Sequence, residues 1–140
     1  MTTIIAGSRT LSQKDLHAAI DLCPWASAID QVVCGCAVGI DRAGHYWAEN
    51  KAISTVYFPA WNDQYEWAKH NADEGALIVY PQGGYSAGRG NGFLRNDLMA
   101  KYADSLILVW TGSSAGSRGM LQSAGRHGLV VHQHVQAIPY

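Results

Sequence analysis

Three short stretches of this 140-residue chain carry residues suited to holding an anion. The first is Gly7-Ser8-Arg9, where glycine admits a close ligand, serine offers a hydroxyl and arginine is a forked partner for phosphate or carboxylate. The second is Gly35-Cys36-Ala37-Val38-Gly39-Ile40-Asp41-Arg42, whose amides precede a helix start that favours negative charge. The third is Thr111-Gly112-Ser113-Ser114-Ala115-Gly116-Ser117, another run of small residues leading into a helix. Arg95-Asn96 adds a further cation and an amide, and Trp61 supplies an aromatic face on which a base could stack. Arg9, Arg42 and Arg95 would neutralise phosphates, and amides near Gly7, Gly35, Gly39, Gly112 and Gly116 would donate to their oxygens. Ser8, Ser113 and Ser117 would add polar contacts. Asp41 fits two roles, acceptor for a ribose hydroxyl or cap of its own helix, with the cap favoured.

Several familiar chemistries are missing. No G-x-x-x-x-G-K-[ST] marks a phosphate-binding loop of the ATPase type, and no G-x-G-x-x-G follows the first strand. His132 and His134 alternate on the last strand and read as chain-end surface, and His45 reads as a helix-surface partner of Asp41. Cys34 and Cys36 are spaced C-x-C, without the paired knuckles of a structural zinc site. Neither a metal nor a cofactor is called for.

The loops must be positioned by a regular scaffold, and the apolar pattern supplies one. Residues 2–6, 31–35, 53–58, 105–110 and 128–135 read as strands, with 105–110 apolar throughout as expected of a strand covered on both faces. Ser12 and Asp15 give a capping signal ahead of Leu16, Ala19, Ile20 and Cys23 at helical spacing. Ile40, Ala43, Gly44, Trp47 and Ala48 share one helix face, residues 94–102 read as a helix, and Met120, Leu121 and Ala124 mark another. Residues 62–91 are less regular: 76–80 suits an extra strand and the glycine-rich 81–92 a loop. Strands alternating with helices predict an α/β fold, a single Rossmann-like three-layer domain over 1–140 with a glycine-rich insertion at about 62–91. Its mostly parallel sheet would have about five strands and helices on both faces. In such sheets ligands bind beyond the carboxyl ends of the strands, where all three loops fall.

Bulk properties narrow the partners. With 48% hydrophobic and 15% charged residues, the chain has a globular composition. Its formal net charge of -1 argues against nucleic acid as a partner. No apolar run is long enough to span a bilayer, and the start lacks the pattern of a signal peptide, so the cytoplasm is the expected compartment.

At these loops the chain resembles the SLOG superfamily, whose Rossmann-like members bind or process nucleotides and nucleotide-derived ligands. The resemblance rests on residues 4–9, 32–50, 58–62, 93–110 and 112–124, and is nearest to the small stand-alone branch with G-S-R, G-x-D-R and R-N-x-x-M blocks. The same blocks look like the Rossmann core of DNA-processing protein A, which binds single-stranded DNA. The related Lonely Guy phosphoribohydrolases carry P-G-G-x-G-T-x-x-E, whose glutamate assists cleavage of an N-glycosidic bond. If Gly116-Ser117 stands for G-T, Met120 occupies the glutamate position. Methionine is neither a general acid nor a base, which argues against that hydrolysis.

The leading expectation is a protein that binds a small nucleotide-derived ligand, an ADP-ribose or NAD derivative or a cyclic nucleotide. It would act as a sensor or by sequestering an immune signalling nucleotide. The alternative is a nucleotide N-glycosidase or phosphoribohydrolase using Asp41 or another carboxylate; the third is a single-stranded DNA binding module. The resemblance also implies a homo-oligomer, with five tryptophans and seven tyrosines as candidate interface surface.

Overall fold

A computed structural model describes residues 1–85 and 90–137. Five parallel strands form one sheet in the order β3-β2-β1-β4-β5: β1 Thr2–Gly7, β2 Gln31–Cys34, β3 Ser54–Tyr57, β4 Ser105–Trp110 and β5 Val130–Val135. Five helices connect them: α1 Gln13–Asp21, α2 Ile40–Asn50, α3 Asn62–Asn71, α4 Asn91–Tyr102 and α5 Ala115–Arg126. The fold is the single α/β Rossmann-like domain that the alternation of strands and helices predicts.

The sheet is central and its two middle strands are the driest. β1 pairs with β4 from Thr3 opposite Ser105 to Gly7 opposite Val109, and every residue of β4 is buried. Period-2 geometry then sorts the strand side chains between two cores. Ile5, Val32, Ile107 and Val109 meet α1 and α2 through Leu16, Ala19, Ile40 and Trp47. Ile4, Val33, Leu106 and Leu108 meet α4 and α5 through Met99, Ala100, Met120 and Ala124. Thr3 and Ser105, facing each other across β1 and β4, satisfy their buried hydroxyls mutually at 2.7 Å.

Local signals explain most helix starts. Asp15 accepts a hydrogen bond from the Ser12 N–H at 2.9 Å, closing the entry to α1. Ser114 caps α5, its Oγ accepting from the Ser117 N–H at 3.3 Å. At α2 the capping position is Gly39 and not Asp41, which lies in the first turn. Gly39 has φ +94°, and a Cβ there would run into the Ser8 and Arg9 backbone. The β1 and β2 exit loops can pack together only because this residue is glycine.

The stretch 62–91 differs from its composition-based reading. Its first ten residues form α3, whose modest apolar face (Ala68, buried, with Trp67 half-buried) packs on Cys34, Cys36 and Tyr57. Too few apolar residues repeat at helical spacing for the sequence alone to reveal it. Residues 76–80 make no full strand; Ile78 forms one isolated parallel bridge to Tyr57. Part of the glycine-rich loop, residues 86–89, lies outside the described residues.

His45 also differs from expectation. It is buried, and its ring stands between the Tyr57 hydroxyl (2.7 Å from Nδ1) and the Glu49 carboxylate (3.1 Å from Nε2), with Trp67 edge-on. At four residues from both Asp41 and Glu49, sequence spacing alone did not distinguish its partners. Among the described residues no helix is long and apolar enough to cross a membrane, and no group of three metal-type ligands comes together.

Candidate functional site

The chain order places a switch point between β1 and β4, because β1 continues through α1 to β2 on one side while β4 is entered from α4 on the other. At the carboxyl ends of these two strands lies a cleft of about 660 Å³. Three segments build it: Ala6–Thr10 leaving β1, Thr111 and Ser113–Ser117 leaving β4, and the first two turns of α4. Ala37 and Asp41 reach in from the β2 exit, and Trp61 from the β3 exit.

Hydrogen bonds fix the two central loops to each other. The Ser8 N–H donates to the Val109 carbonyl at 3.0 Å, and Ser8 Oγ accepts from the Thr111 N–H at 3.2 Å. The Ile40 N–H donates to the Ser8 carbonyl at 3.2 Å, tying in α2. Ser8 is therefore a buried junction of three strand exits, while Arg9 and Thr10 beside it are exposed.

The cleft has an apolar floor and a polar rim. Met99 and Met120 are buried beneath it. Around it stand Asn96, Arg95 and Asp41, all buried, and the exposed first turn of α5 at Ala115 and Gly116. That turn holds no acidic residue, so its amides keep their pull on an incoming anion. Two aromatics are exposed in the lining: Trp61 at 37% and Phe93 at 56%.

Asp41 and Arg95 form the cleft's charged wall. The Asp41 carboxylate accepts from the Gly7 N–H through Oδ1 and from the Ala37 N–H through Oδ2, both at 3.3 Å. Burial pushes its pKa up, and the Arg95 guanidinium, the two amides and Arg9 act against that rise. Arg95 spends its Nε and Nη1 donors inside the protein. Its Nη1 donates to the carbonyls of Gly35 and Phe58, and its Nε to Asn96 Oδ1 at 2.9 Å. A side chain at position 35 would collide with both Asp41 and Arg95 (2.6 and 2.9 Å from a Cβ), which makes that glycine a packing requirement.

The expected site is thus partly assembled and partly dispersed. Gly7, Ser8, Arg9, Asp41, Trp61, Arg95, Asn96, Ser113, Gly116 and Ser117 all line the cleft. Gly35, Gly39 and Gly112 lie behind the lining, shaping the loops. Arg42 is not at the cleft: its Nε donates to the Cys36 carbonyl at 3.1 Å and its guanidinium stacks over Trp67, 4.8 Å from the ring centre. Of the three arginines expected at phosphate, Arg9 is exposed in the cleft, Arg95 is buried in its wall with Nε and Nη1 bonded to the protein, and Arg42 lies elsewhere. Asp41 does not cap its helix but accepts two amides from loops beside it.

Sequence reasoning missed Phe93, Thr10 and Met99 as lining. Phe93 carried a legible signal, an aromatic two residues before Arg95 at a helix start. Met99 looked like ordinary core, which it also is, while Met120, read at the glutamate position of the related phosphoribohydrolases, does lie in the cleft floor.

No protein-family model matches the chain, and no curated protein matches it. Solved structures do. The X-ray structure of DNA processing protein A from Streptococcus pneumoniae superposes with a TM-score of 0.74 at 20% identity, covering 98% of this chain and 50% of that one. The DNA processing protein A of Helicobacter pylori, whose structure describes a single-stranded DNA binding mode, superposes with a TM-score of 0.72 at 20% identity. That match covers 99% of this chain and 66% of the other. The likeness is one of fold. The chain spans half to two thirds of the proteins it matches. The near-neutral charge does not set nucleic acid aside, contrary to the sequence expectation, because the Helicobacter pylori protein, which contains this fold, binds single-stranded DNA.

Proposed function

We propose that the cleft binds a nucleotide unit of a single-stranded nucleic acid. The observation that carries this reading is the joint presence, in one lining, of two exposed aromatics, one exposed arginine and an acid-free helix N-terminus. Trp61 and Phe93 offer faces for base stacking, a contact that every base can make. Arg9 and the amides of Ala115 and Gly116 offer a phosphate both charge and hydrogen-bond donors. The fold shared with DNA processing protein A supports the same class of ligand. With one exposed cation, recognition rests more on stacking and amides than on charge, which accords with a net charge of -1.

A second reading, a free mononucleotide as ligand, is favoured by the cleft volume of about 660 Å³, within the range of small-molecule sites. Nothing in the fold likeness points to an ADP-ribose or cyclic-nucleotide ligand. Titration of tryptophan fluorescence with a thymidine oligomer, and separately with thymidine monophosphate, separates the two readings. Strand binding predicts that the oligomer binds at least ~10-fold more tightly and that added salt weakens it. Equal affinity for the two would favour the free nucleotide, and no response to either up to ~1 mM would overturn both.

A further inference from the structure

The outer edge of β3 opens into a second cleft of about 410 Å³, which shares no lining residue with the first. Its geometry follows from the alternation of backbone groups along a parallel strand. The Phe58 N–H donates inward to the Cys34 carbonyl, so the backbone groups of Thr55 and Tyr57 face outward. Those of Tyr57 are paired: its N–H donates to Leu77, and its carbonyl accepts from Val79. The next pair down the edge would be Thr55 with Gly75 and Leu77, but the chain has turned away there. Gly75 takes φ +82°, and Ala76 donates back to Asp73 at 3.0 Å. Among the described residues, the Thr55 N–H and carbonyl have no backbone partner, and the cleft occupies the gap.

The two walls of this cleft differ. On the α2 side stand His45 and Glu49, and the 73–76 turn adds Asp73 and Glu74. On the α4 side stand Tyr102 and Gln31, with the Tyr102 ring packed against Phe58. No lysine or arginine lines the cleft. Three exposed carboxylates therefore surround a strand edge with one unpaired donor and one unpaired acceptor. Exposed strand edges are templates for pairing with another chain, and a basic extended segment fits this one in both backbone and charge.

We propose that the β3 edge docks an extended segment of a partner protein by strand addition. Its basic side chains would face Glu49, Asp73 and Glu74, and its alternate, apolar side chains would face Tyr102. Thr55 supplies the backbone pair that extends the short bridge already made by Ile78. This surface is separate from the nucleotide cleft and does not depend on its reading.

The test uses the full chain and a capped nonapeptide alternating arginine and valine, with binding measured by calorimetry and amide exchange. The expected result is saturable binding below ~1 mM, slowed exchange of the Thr55 amide, and at least ~10-fold weaker binding to the Glu49→Lys variant. Trp61→Ala should bind the peptide as wild type does. No binding at ~1 mM would overturn the proposal. So would equal binding of the glutamate–valine counterpart, or of a peptide N-methylated at alternate residues, since the latter keeps the charge and removes strand pairing.

Discussion

The Oγ of Ser8 accepts the backbone N–H of Thr111 at 3.2 Å, and this bond joins the exits of the two central strands. Without it the β4 exit loop loses its tether to β1, and a partly buried amide loses its acceptor. Ser8→Ala should cost about 1 kcal/mol of stability, read as a lower urea midpoint with unchanged slope. It should also weaken oligomer binding, because the loop carrying Ser113 to Ser117 would no longer be held. Unchanged binding in a destabilised variant would show that the tether serves the fold alone.

Two arginines at one cleft should behave oppositely. Arg9 is exposed and makes no hydrogen bond among the described residues, whereas Arg95 is 7% exposed and donates to two carbonyls and to Asn96. Arg9→Ala should leave stability within about 0.5 kcal/mol of wild type. It should also flatten the dependence of log affinity on log salt by ~0.7, the loss of one phosphate contact on a single strand. Arg95→Ala should leave buried carbonyls unpaired and Asp41 without its compensating charge, costing about 3 kcal/mol. Any fully folded fraction should keep the wild-type salt slope. A steep change of slope in the Arg95 variant would mean that its guanidinium reaches phosphate after all.

Much of the fold was legible because β1, β2 and β4 are apolar on both faces and each runs into glycine or small residues before a helix. That pattern leaves few arrangements besides a parallel sheet with its loops gathered at one end. The cleft's loops were legible for the same reason. What could not be read was the direction of each side chain. Arg42 and Arg95 are alike as letters, yet one packs on Trp67 and the other reaches the Gly35 carbonyl across sixty residues of sequence. The helix at Asn62–Asn71 was hidden because its apolar positions are few and are completed by Cys34, Cys36 and Tyr57 from other elements.

His45 predicts a pH dependence of stability. Burial holds its pKa below the ordinary histidine value near 6.5, against the opposing pull of Glu49 and Asp73. The unfolded chain therefore takes up a proton at a higher pH than the folded protein does. Stability from this residue is fully present above about pH 6.5 and is lost as pH falls from there through the folded value. Chemical denaturation between pH 7.5 and 5, a range bracketing the ordinary value, should show falling stability, and His45→Gln should reduce the slope. Direct NMR titration of the ring would contradict this if the midpoint lay above the ordinary value.

Trp61 offers the cleanest test of the nucleotide cleft, because its ring is 37% exposed and fills little core. A Cβ at Gly92 would come within 3.3 Å of the indole. The benzo edge of the indole therefore approaches the start of α4, next to the exposed Phe93, and the side chain is only partly buried. Stacking one base on such a ring contributes about 1–3 kcal/mol. Trp61→Ala should therefore weaken oligomer binding by roughly 5- to 150-fold, with Tm essentially unchanged, and Trp61→Phe should recover part of the loss. Anisotropy of a labelled oligomer would measure it. If the alanine variant bound as tightly as wild type, the aromatic wall would be surface and the ligand would be held by the amides and Arg9 alone.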